Sequence, residues 1–317
     1  MFDSIWLVGA GNMAYDYFNV LKDLKINFKV IGRGFESAKK FKDKTNKEVF
    51  VGGLQKALDT FNAPNNIIIA VGAEQLYPTL KLVLNEKETN NILVEKPGSL
   101  YINELLEAQR IAKLNNKKVW IAYNRRFYSS VIELKKLINQ EGGIKSIDFE
   151  FTEWSYKINE LKKSKEIKNR WFLANSSHVI DLAFYLVGLP MEESFCTFKN
   201  GQLDWHPSGA RFCGAGISQK GIIFSYHADW GSSGRWGLDI NTSHSRYILR
   251  PLEKLQRIKL GNLNSEYIEL KDNFDIKYKP GLYLQCKDFL QKKSNILCSL
   301  DHQVNSFKFF NKMSGYS

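Results

Sequence analysis

A doubly wound α/β domain followed by an α+β domain with an open, mainly antiparallel sheet is the fold class this sequence predicts. Three observations predict it. Strand and helix signals alternate from Ser4 to Ala122, the pattern of a parallel sheet covered by helices on both sides. A glycine-rich turn follows the very first strand. From Ser194 to about Asp275, short strand-like runs alternate with turn residues instead.

Taken in order, Ser4 to Val8 is a short apolar run, and Asn12 to Leu24 carries apolar residues at helical spacing. Phe28 to Ile31 is a strand candidate, followed by a charged helix from Phe35 to Lys44. Val49 and Val51 mark a weak third strand, and Leu54 to Phe61 a helix. Asn66 to Val71 is continuously apolar, as expected of a strand buried on both faces. Glu74 to Glu86 is helical, Asn91 to Val94 a strand, Ile102 to Leu114 a helix and Val119 to Ala122 a strand. Right-handed crossovers make this a doubly wound sheet. The division expected is a first domain over residues 1–122 and a second over 123–317, with the boundary near Tyr123 to Phe127. In the second, a helix at Ser130 to Asn139 precedes the Gly142-Gly143 turn and an alternating strand at Ile144 to Tyr156. Lys157 to Arg170 reads as a surface loop or exposed helix, and Val179 to Val187 as a helix ending at Gly188. Runs at 194–198, 210–218, 221–230, 236–242 and 245–250 supply the second sheet, and Tyr283 to Lys292 and Gln303 to Met313 are closing helices.

Composition narrows the function classes. The chain has 317 residues, 44% of them hydrophobic, enough for two packed domains. No apolar run approaches the roughly 20 residues of a membrane span. Met1 to Val8 read straight into a strand without a basic leader, so no signal peptide is expected and cytoplasmic residence is the default. Cys196, Cys213, Cys286 and Cys298 lack C-x-x-C spacing, and the five histidines form no H-x-x-x-H pair; no metal site is expected. The net charge of +12 is spread along helical stretches rather than in one tract with interleaved aromatics. Nucleic acid and membrane are therefore not expected partners, and an anionic small substrate or a solvated lysine-rich surface remains.

The first turn reads Gly9-Ala10-Gly11-Asn12-Met13-Ala14, a G-x-G-x-x-A after a strand and opening a helix. Gly9 permits the tight turn, Gly11 lets a pyrophosphate reach the backbone, and Ala14 lets helix and strand pack closely. The helix amides, with Asn12 and Met13 at their start, would receive the anion. Roughly 20 residues on, NAD binding calls for an acidic residue. Arg33 stands there instead, with Ser37 nearby, and a guanidinium suits a 2′-phosphate. NADP is favoured over NAD on this reading; alternatively Arg33 stacks on the adenine or faces water.

Leu93-Val94-Glu95-Lys96-Pro97 then ends a parallel strand at the edge where such sheets bind ligands. Three features stand in order: G-A-G-N-M-A at 9–14, V-E-K-P at 94–97 and S-H-V-I-D at 177–181. Together they resemble the glucose–fructose oxidoreductase, inositol dehydrogenase and MocA (Gfo/Idh/MocA) family, whose first domain is Rossmann-type. The resemblance covers essentially the whole chain and implies hydride transfer between a nicotinamide and a carbon of a sugar, nucleotide-sugar or cyclitol. A nucleotide-sugar or surface-polysaccharide pathway is the expected setting. By resemblance, Lys96 lies beside the nicotinamide ribose and the reacting hydroxyl, Glu95 lies near that ribose, and His178 is the proton partner. The Lys96–Pro97 bond can be cis, as proline permits. Asp181, one turn on, orients His178 or binds substrate. Relatives of this kind often carry an acidic residue where Ala174 stands, before Asn175, a candidate substrate contact. Either Lys96 and His178 suffice, or another group supplies the third role. Ala70 and Val71 line the cofactor side of the fourth strand, where the usual proline and histidine are missing. Arg126-Phe127 also matches the resemblance: Asn124 or Arg126 contacts cofactor or substrate, or Arg126 makes a salt bridge at the domain boundary.

Tyr226 to Trp236 packs aromatic and polar groups around a glycine-rich turn. Alternation puts Tyr226, Ala228 and Trp230 on one face. Trp230 and Arg235 are candidate substrate contacts, Arg235 for a phosphate or carboxylate; a core hairpin is the other reading. The resemblance also implies a homodimer or homotetramer. The competing function is a non-catalytic dinucleotide-binding sensor or scaffold on the same fold.

Overall fold

A computed structural model describes residues 5–291 and 295–316. It divides into two compact units: one runs to Asn124 and resumes over Phe274–Val304, and the other comprises Arg125–Asn273 and the chain from Asn305 onward. The first break falls beside the expected 122/123 boundary. The return of residues 274–304 to the first unit differs from the continuous second domain expected from sequence.

The first unit contains β1 (Ile5–Val8), α1 (Asn12–Asp23), β2 (Phe28–Gly32), α2 (Phe35–Thr45), β3 (Val49–Val51), α3 (Gly53–Thr60), β4 (Asn66–Ile69), α4 (Ala73–Leu84), β5 (Asn91–Glu95), α5 (Ile102–Leu114) and β6 (Lys118–Ala122). Strands 3-2-1-4-5-6 lie side by side in that order and all parallel. This is the Rossmann order, with its crossover switch between β1 and β4. β1 and β4 are buried at every residue, which explains the apolar runs Ile5 to Val8 and Ile67 to Ile69.

The second unit continues with α6 (Ser129–Gln140), β7 (Ser146–Glu150), α7 (Ser155–Glu160), α8 (Lys165–Asn169), a π-turn at Phe172–Ser176 and α9 (Ser177–Val187). Then come β8 (Cys196–Asn200), β9 (Arg211–Ile217), β10 (Ile223–Asp229), β11 (Gly237–Asn241), β12 (Ser245–Leu249), β13 (Gln256–Lys259) and β14 (Glu266–Tyr267). The eight strands order 14-13-12-11-7-10-9-8, antiparallel except for the β7–β10 pair. Aromatic side chains fill the face under α9: Phe149 packs on Phe184 and Tyr226, and Phe151 on Phe172 and Phe212. Of the residues of α9, all but Tyr185 are buried, so apolar residues lie on nearly every side of the enclosed helix.

The chain closes with α10 (Asn273–Lys277), α11 (Leu282–Gln291), β15 (Cys298–Ser299) and α12 (Leu300–Ser314). Leu282, Cys286 and Phe289 of α11 enter the same core as Tyr17 and Leu21 of α1. β15 adds an antiparallel edge to β6. These contacts recruit residues 274–304 to the parallel sheet.

The chain leaves the sheet after Glu150, and Ser155 opens α7, so the strand expected to run to Tyr156 is shorter. Lys157 to Arg170, read as a surface loop or exposed helix, takes the helical form, as two short helices and their links. β13, β14 and β15 carried no sequence signal.

The second unit also encloses a histidine. His206 has no exposed surface; its Nδ1 lies 2.6 Å from Gly209 O, and its Nε2 lies 2.6 Å from the Tyr316 hydroxyl. Burial is the main cause that lowers its pKa from 6.5 to about 4. The folded state therefore binds fewer protons than the unfolded state in that window. The stability this group contributes is complete above pH 6.5 and is lost as pH falls toward 4, up to about 3 kcal/mol. Urea midpoints measured between pH 8 and pH 4.5 will fall, and His206→Gln, which cannot titrate, will flatten that fall. Parallel curves for the two proteins would refute this.

Candidate functional site

In the first unit the site is built at the carboxyl ends of β1, β2, β4 and β5. Gly9 has φ +128°, and a Cβ there would stand 2.2 Å from Ala70 O. The turn must therefore be glycine, both for its backbone conformation and for the close pass under β4. It is held by Gly9 N donating to Ile31 O at 2.8 Å and Ala70 N donating to Val8 O at 2.7 Å. Gly11 is the opposite case: its φ is −94°, and a Cβ there would meet nothing within 4 Å. No side chain caps α1 and no acidic residue lies in its first turn. Open amides and helix dipole fit an anion here, and the residues present fit a dinucleotide.

Arg33, exposed at the end of β2, donates from Nη1 to Gln75 Oε1 at 3.0 Å. Gly72 caps α4 without a side-chain bond, and a Cβ on it would meet nothing within 4 Å, so the surface beside Ala70 and Val71 is also open. Asn124 Nδ2 donates to Pro280 O at 2.8 Å, joining β6 to the returning segment.

At the end of β5, the Tyr17 hydroxyl donates to Glu95 Oε1 at 2.8 Å. Burial raises the Glu95 pKa, while the Tyr17 bond and the charges of Lys279 and Lys96 work to lower it. Burial likewise pushes the Tyr17 phenol well above its ordinary value. The Lys96–Pro97 peptide is cis, as the sequence allowed. Gln303 Nε2 donates to Pro97 O at 2.9 Å and Gly98 N to Glu95 O at 3.0 Å. The turn that carries Lys96 is therefore fixed by backbone contacts on both sides. Tyr17, Gln303 and Lys279 went unnoticed in sequence because each lies far from residues 95–97 along the chain; Tyr17 alone sits on the expected buried face of the first helix.

In the second unit His178 lies in the first turn of α9, 8% exposed, its ring 6.3 Å from that of Trp236. Asp181 faces Arg126: Nε donates to Oδ2 at 2.8 Å and Nη2 to Oδ1 at 2.5 Å, with both side chains buried. These two candidate substrate contacts are thus committed to each other. A bidentate buried pair satisfies both charges and ties the turn Asn124–Phe127 to α9. Asn175 Nδ2 and Ser176 Oγ both donate to Glu153 Oε1, at 2.9 and 2.8 Å. Glu153 is 2% exposed. A buried carboxylate therefore does stand against the segment before His178, contributed from the stretch after β7 rather than from position 174. Sequence reasoning missed it because it read that stretch as strand. Trp230 is a core residue at 1% exposure, stacked at 5.4 Å on Trp205. Its neighbour in the candidate set, Arg235, has a half-exposed side chain on the loop between β10 and β11.

Residues 4–123 match the model of the Gfo/Idh/MocA oxidoreductase family, described as an NAD-binding Rossmann fold. The match covers the parallel sheet of the first unit and gives that stretch the NAD-binding Rossmann fold of this oxidoreductase family. No curated protein matches the chain. In fold the chain is similar over its whole length to UDP-N-acetylglucosamine 3-dehydrogenase from Acidithiobacillus ferrooxidans, at 12% identity, TM-score 0.77 and 99% and 97% coverage of the two chains. It is similar to an oxidoreductase from Agrobacterium radiobacter in complex with NAD+, L-tartaric acid and magnesium, at 12% identity, TM-score 0.80 and 100% and 97% coverage. Levoglucosan dehydrogenase, in complex with NADH and levoglucosan, is a third, at 15% identity, TM-score 0.78 and 98% and 96% coverage. Among the described residues, no helix is long and apolar enough to cross a membrane.

The Arg126–Asp181 pair makes a direct prediction. Asp181→Asn leaves a buried guanidinium uncompensated and lowers stability by roughly 3–5 kcal/mol in urea unfolding. Replacing both partners, Arg126→Met with Asp181→Leu, recovers most of that loss. If the double replacement is no more stable than Asp181→Asn, the pair is not what the two side chains are there to satisfy.

Proposed function

We propose that the chain is an NAD(P)-dependent oxidoreductase acting on a CH–OH group of a sugar, nucleotide-sugar or cyclitol. The observation that carries this reading is the fixed Glu95-Lys96-Pro97 turn standing on the same sheet edge as the open glycine turn of β1. A bound nicotinamide supplies the hydride acceptor or donor. Gly9, Gly11, Asn12 and Met13 hold its pyrophosphate at the α1 amides, and Ala70 and Val71 line the next strand end. Glu95, with Tyr17 behind it, holds a ribose hydroxyl. Lys96 orients the substrate hydroxyl and moves its proton, and His178 keeps the proton-partner role that the family resemblance gives it. Arg33 favours NADP over NAD: it is exposed at the end of β2, and its bond to Gln75 steadies the guanidinium for a 2′-phosphate. Arg126 and Asp181, bound to each other, act by holding α9 in place. Two neighbours in fold are sugar dehydrogenases by name, in keeping with a sugar substrate.

The experiment is a panel of sugars, nucleotide-sugars and cyclitols assayed with NAD(H) and NADP(H), run with wild type, Lys96→Ala and Arg33→Ala. Lys96→Ala will lose about 10²–10⁴-fold in turnover while still binding dinucleotide. Arg33→Ala will weaken NADPH by about tenfold or more, the scale of a charge-assisted contact, and leave NADH unchanged. Dinucleotide binding without turnover on any panel member, with Lys96→Ala indistinguishable from wild type, would favour the non-catalytic sensor.

A further inference from the structure

The second unit contains an alternation of cations and indoles that the redox chemistry does not require. Arg125 lies over the Trp236 ring at 4.7 Å, and Arg235 lies over the same ring at 5.0 Å. Arg235 also lies over the Trp154 ring at 4.8 Å, and Lys157 over that ring at 4.4 Å. Three cations thus share two indoles, and Trp236 in turn neighbours His178. Each such contact contributes on the order of 0.5–2 kcal/mol and fixes the plane of the guanidinium.

The loop carrying Arg235 is anchored from both sides. Trp154 Nε1 donates to Gly234 O at 3.1 Å, and Arg250 Nη1 donates to Arg235 O at 3.0 Å. Arg250 also holds Glu150 at 2.6 Å, and a Cβ on Gly234 would stand 2.0 Å from Glu150 Oε1. Arg235 is therefore preorganised. Its side chain is 46% exposed, and the carboxylate within ion-pair distance among the described residues, Glu153 Oε2, is 3.8 Å away. That is longer than a hydrogen bond, and the other oxygen of Glu153 accepts from Asn175 and Ser176. Burial is the main cause lowering the Arg125 pKa; Tyr128, Glu253 and Glu153 raise it, and the charge of Arg235 has a smaller, lowering effect.

We propose that Arg235, stacked between Trp154 and Trp236 with Arg125 behind, is the anchor for an anionic group of the substrate, so that the sugar acted on carries a carboxylate or a phosphate. The word substrate rests on the oxidoreductase reading above; the binding claim does not. The Arg235 guanidinium meets either anion through two parallel N–H bonds, and the indoles keep it from collapsing onto Glu153.

The test is calorimetric titration with saturating NADH in the cell, using matched pairs: D-glucuronate against D-glucose, and glucose 6-phosphate against glucose and against inorganic phosphate. Wild type will bind at least one charged sugar about tenfold or more tighter than its neutral partner. Which of the two wins assigns carboxylate or phosphate. Arg235→Gln will erase that difference and Arg235→Lys will keep part of it, with thermal denaturation confirming that both variants fold. Equal affinity for charged and neutral members, an advantage that survives Arg235→Gln, or inorganic phosphate binding as tightly as glucose 6-phosphate would each overturn the proposal. Charge-dependent binding without turnover would leave the anchor standing and count against the enzyme reading alone.

Discussion

The closest constraint in the parallel sheet is the pass of Gly9 beneath Ala70. The carbonyl of Ala70 sits where a Cβ on Gly9 would be, so β1 and β4 can approach at their carboxyl ends only if residue 9 has no side chain. That approach sets the direction in which the chain enters α1 and leaves its first amides open. It also brings the ends of β1, β4 and β5 into register, since Val8, Ile69 and Val94 lie side by side across the three strands. Glu95 then falls one residue beyond that line, within reach of Tyr17 on α1. Everything proposed for the cofactor and for Lys96 follows from this one steric fact.

The second unit depends on charges satisfied in the interior. α9 is apolar on nearly every face, yet its first two turns are tied down by polar contacts: Asp181 to Arg126, and Asn175 and Ser176 of the preceding π-turn to Glu153. π-turns recur where a helix must re-aim a side chain. Here the turn directly precedes His178. The carboxylate that relatives of this kind often place four residues before the histidine is absent from that position, and a buried carboxylate reaches the same segment from residue 153. Arg126 and Asp181, which in sequence look like groups awaiting a ligand, are instead the fastening.

Much of the first unit was legible because parallel strands buried on both faces write continuous apolar runs, as in Ile67 to Ile69, and because Gly9 has a steric cause. The alternation at Tyr226, Ala228 and Trp230 was also correct as a facing pattern; what it could not say was that this face is core. The remainder was hidden for one physical reason, that it is nonlocal. Glu153 draws its meaning from Asn175 and Ser176, Gln303 from Pro97 and Tyr17 from Glu95. The polar strands β13 and β14 exist through their pairing partners, and α11 belongs with α1 only by packing. No periodicity along the chain encodes such pairs.

The most direct test of the account uses Gly11. Its backbone is extended and the space around it is open, so Gly11→Val fits the fold, yet its side chain would occupy the place claimed for a pyrophosphate. Titrating NADH and NADPH by fluorescence into wild type and Gly11→Val, with melting curves for both, separates folding from binding. The account predicts saturable binding by wild type and its loss in a variant that still melts cooperatively within a few degrees of wild type. Undiminished affinity in a folded Gly11→Val would contradict it.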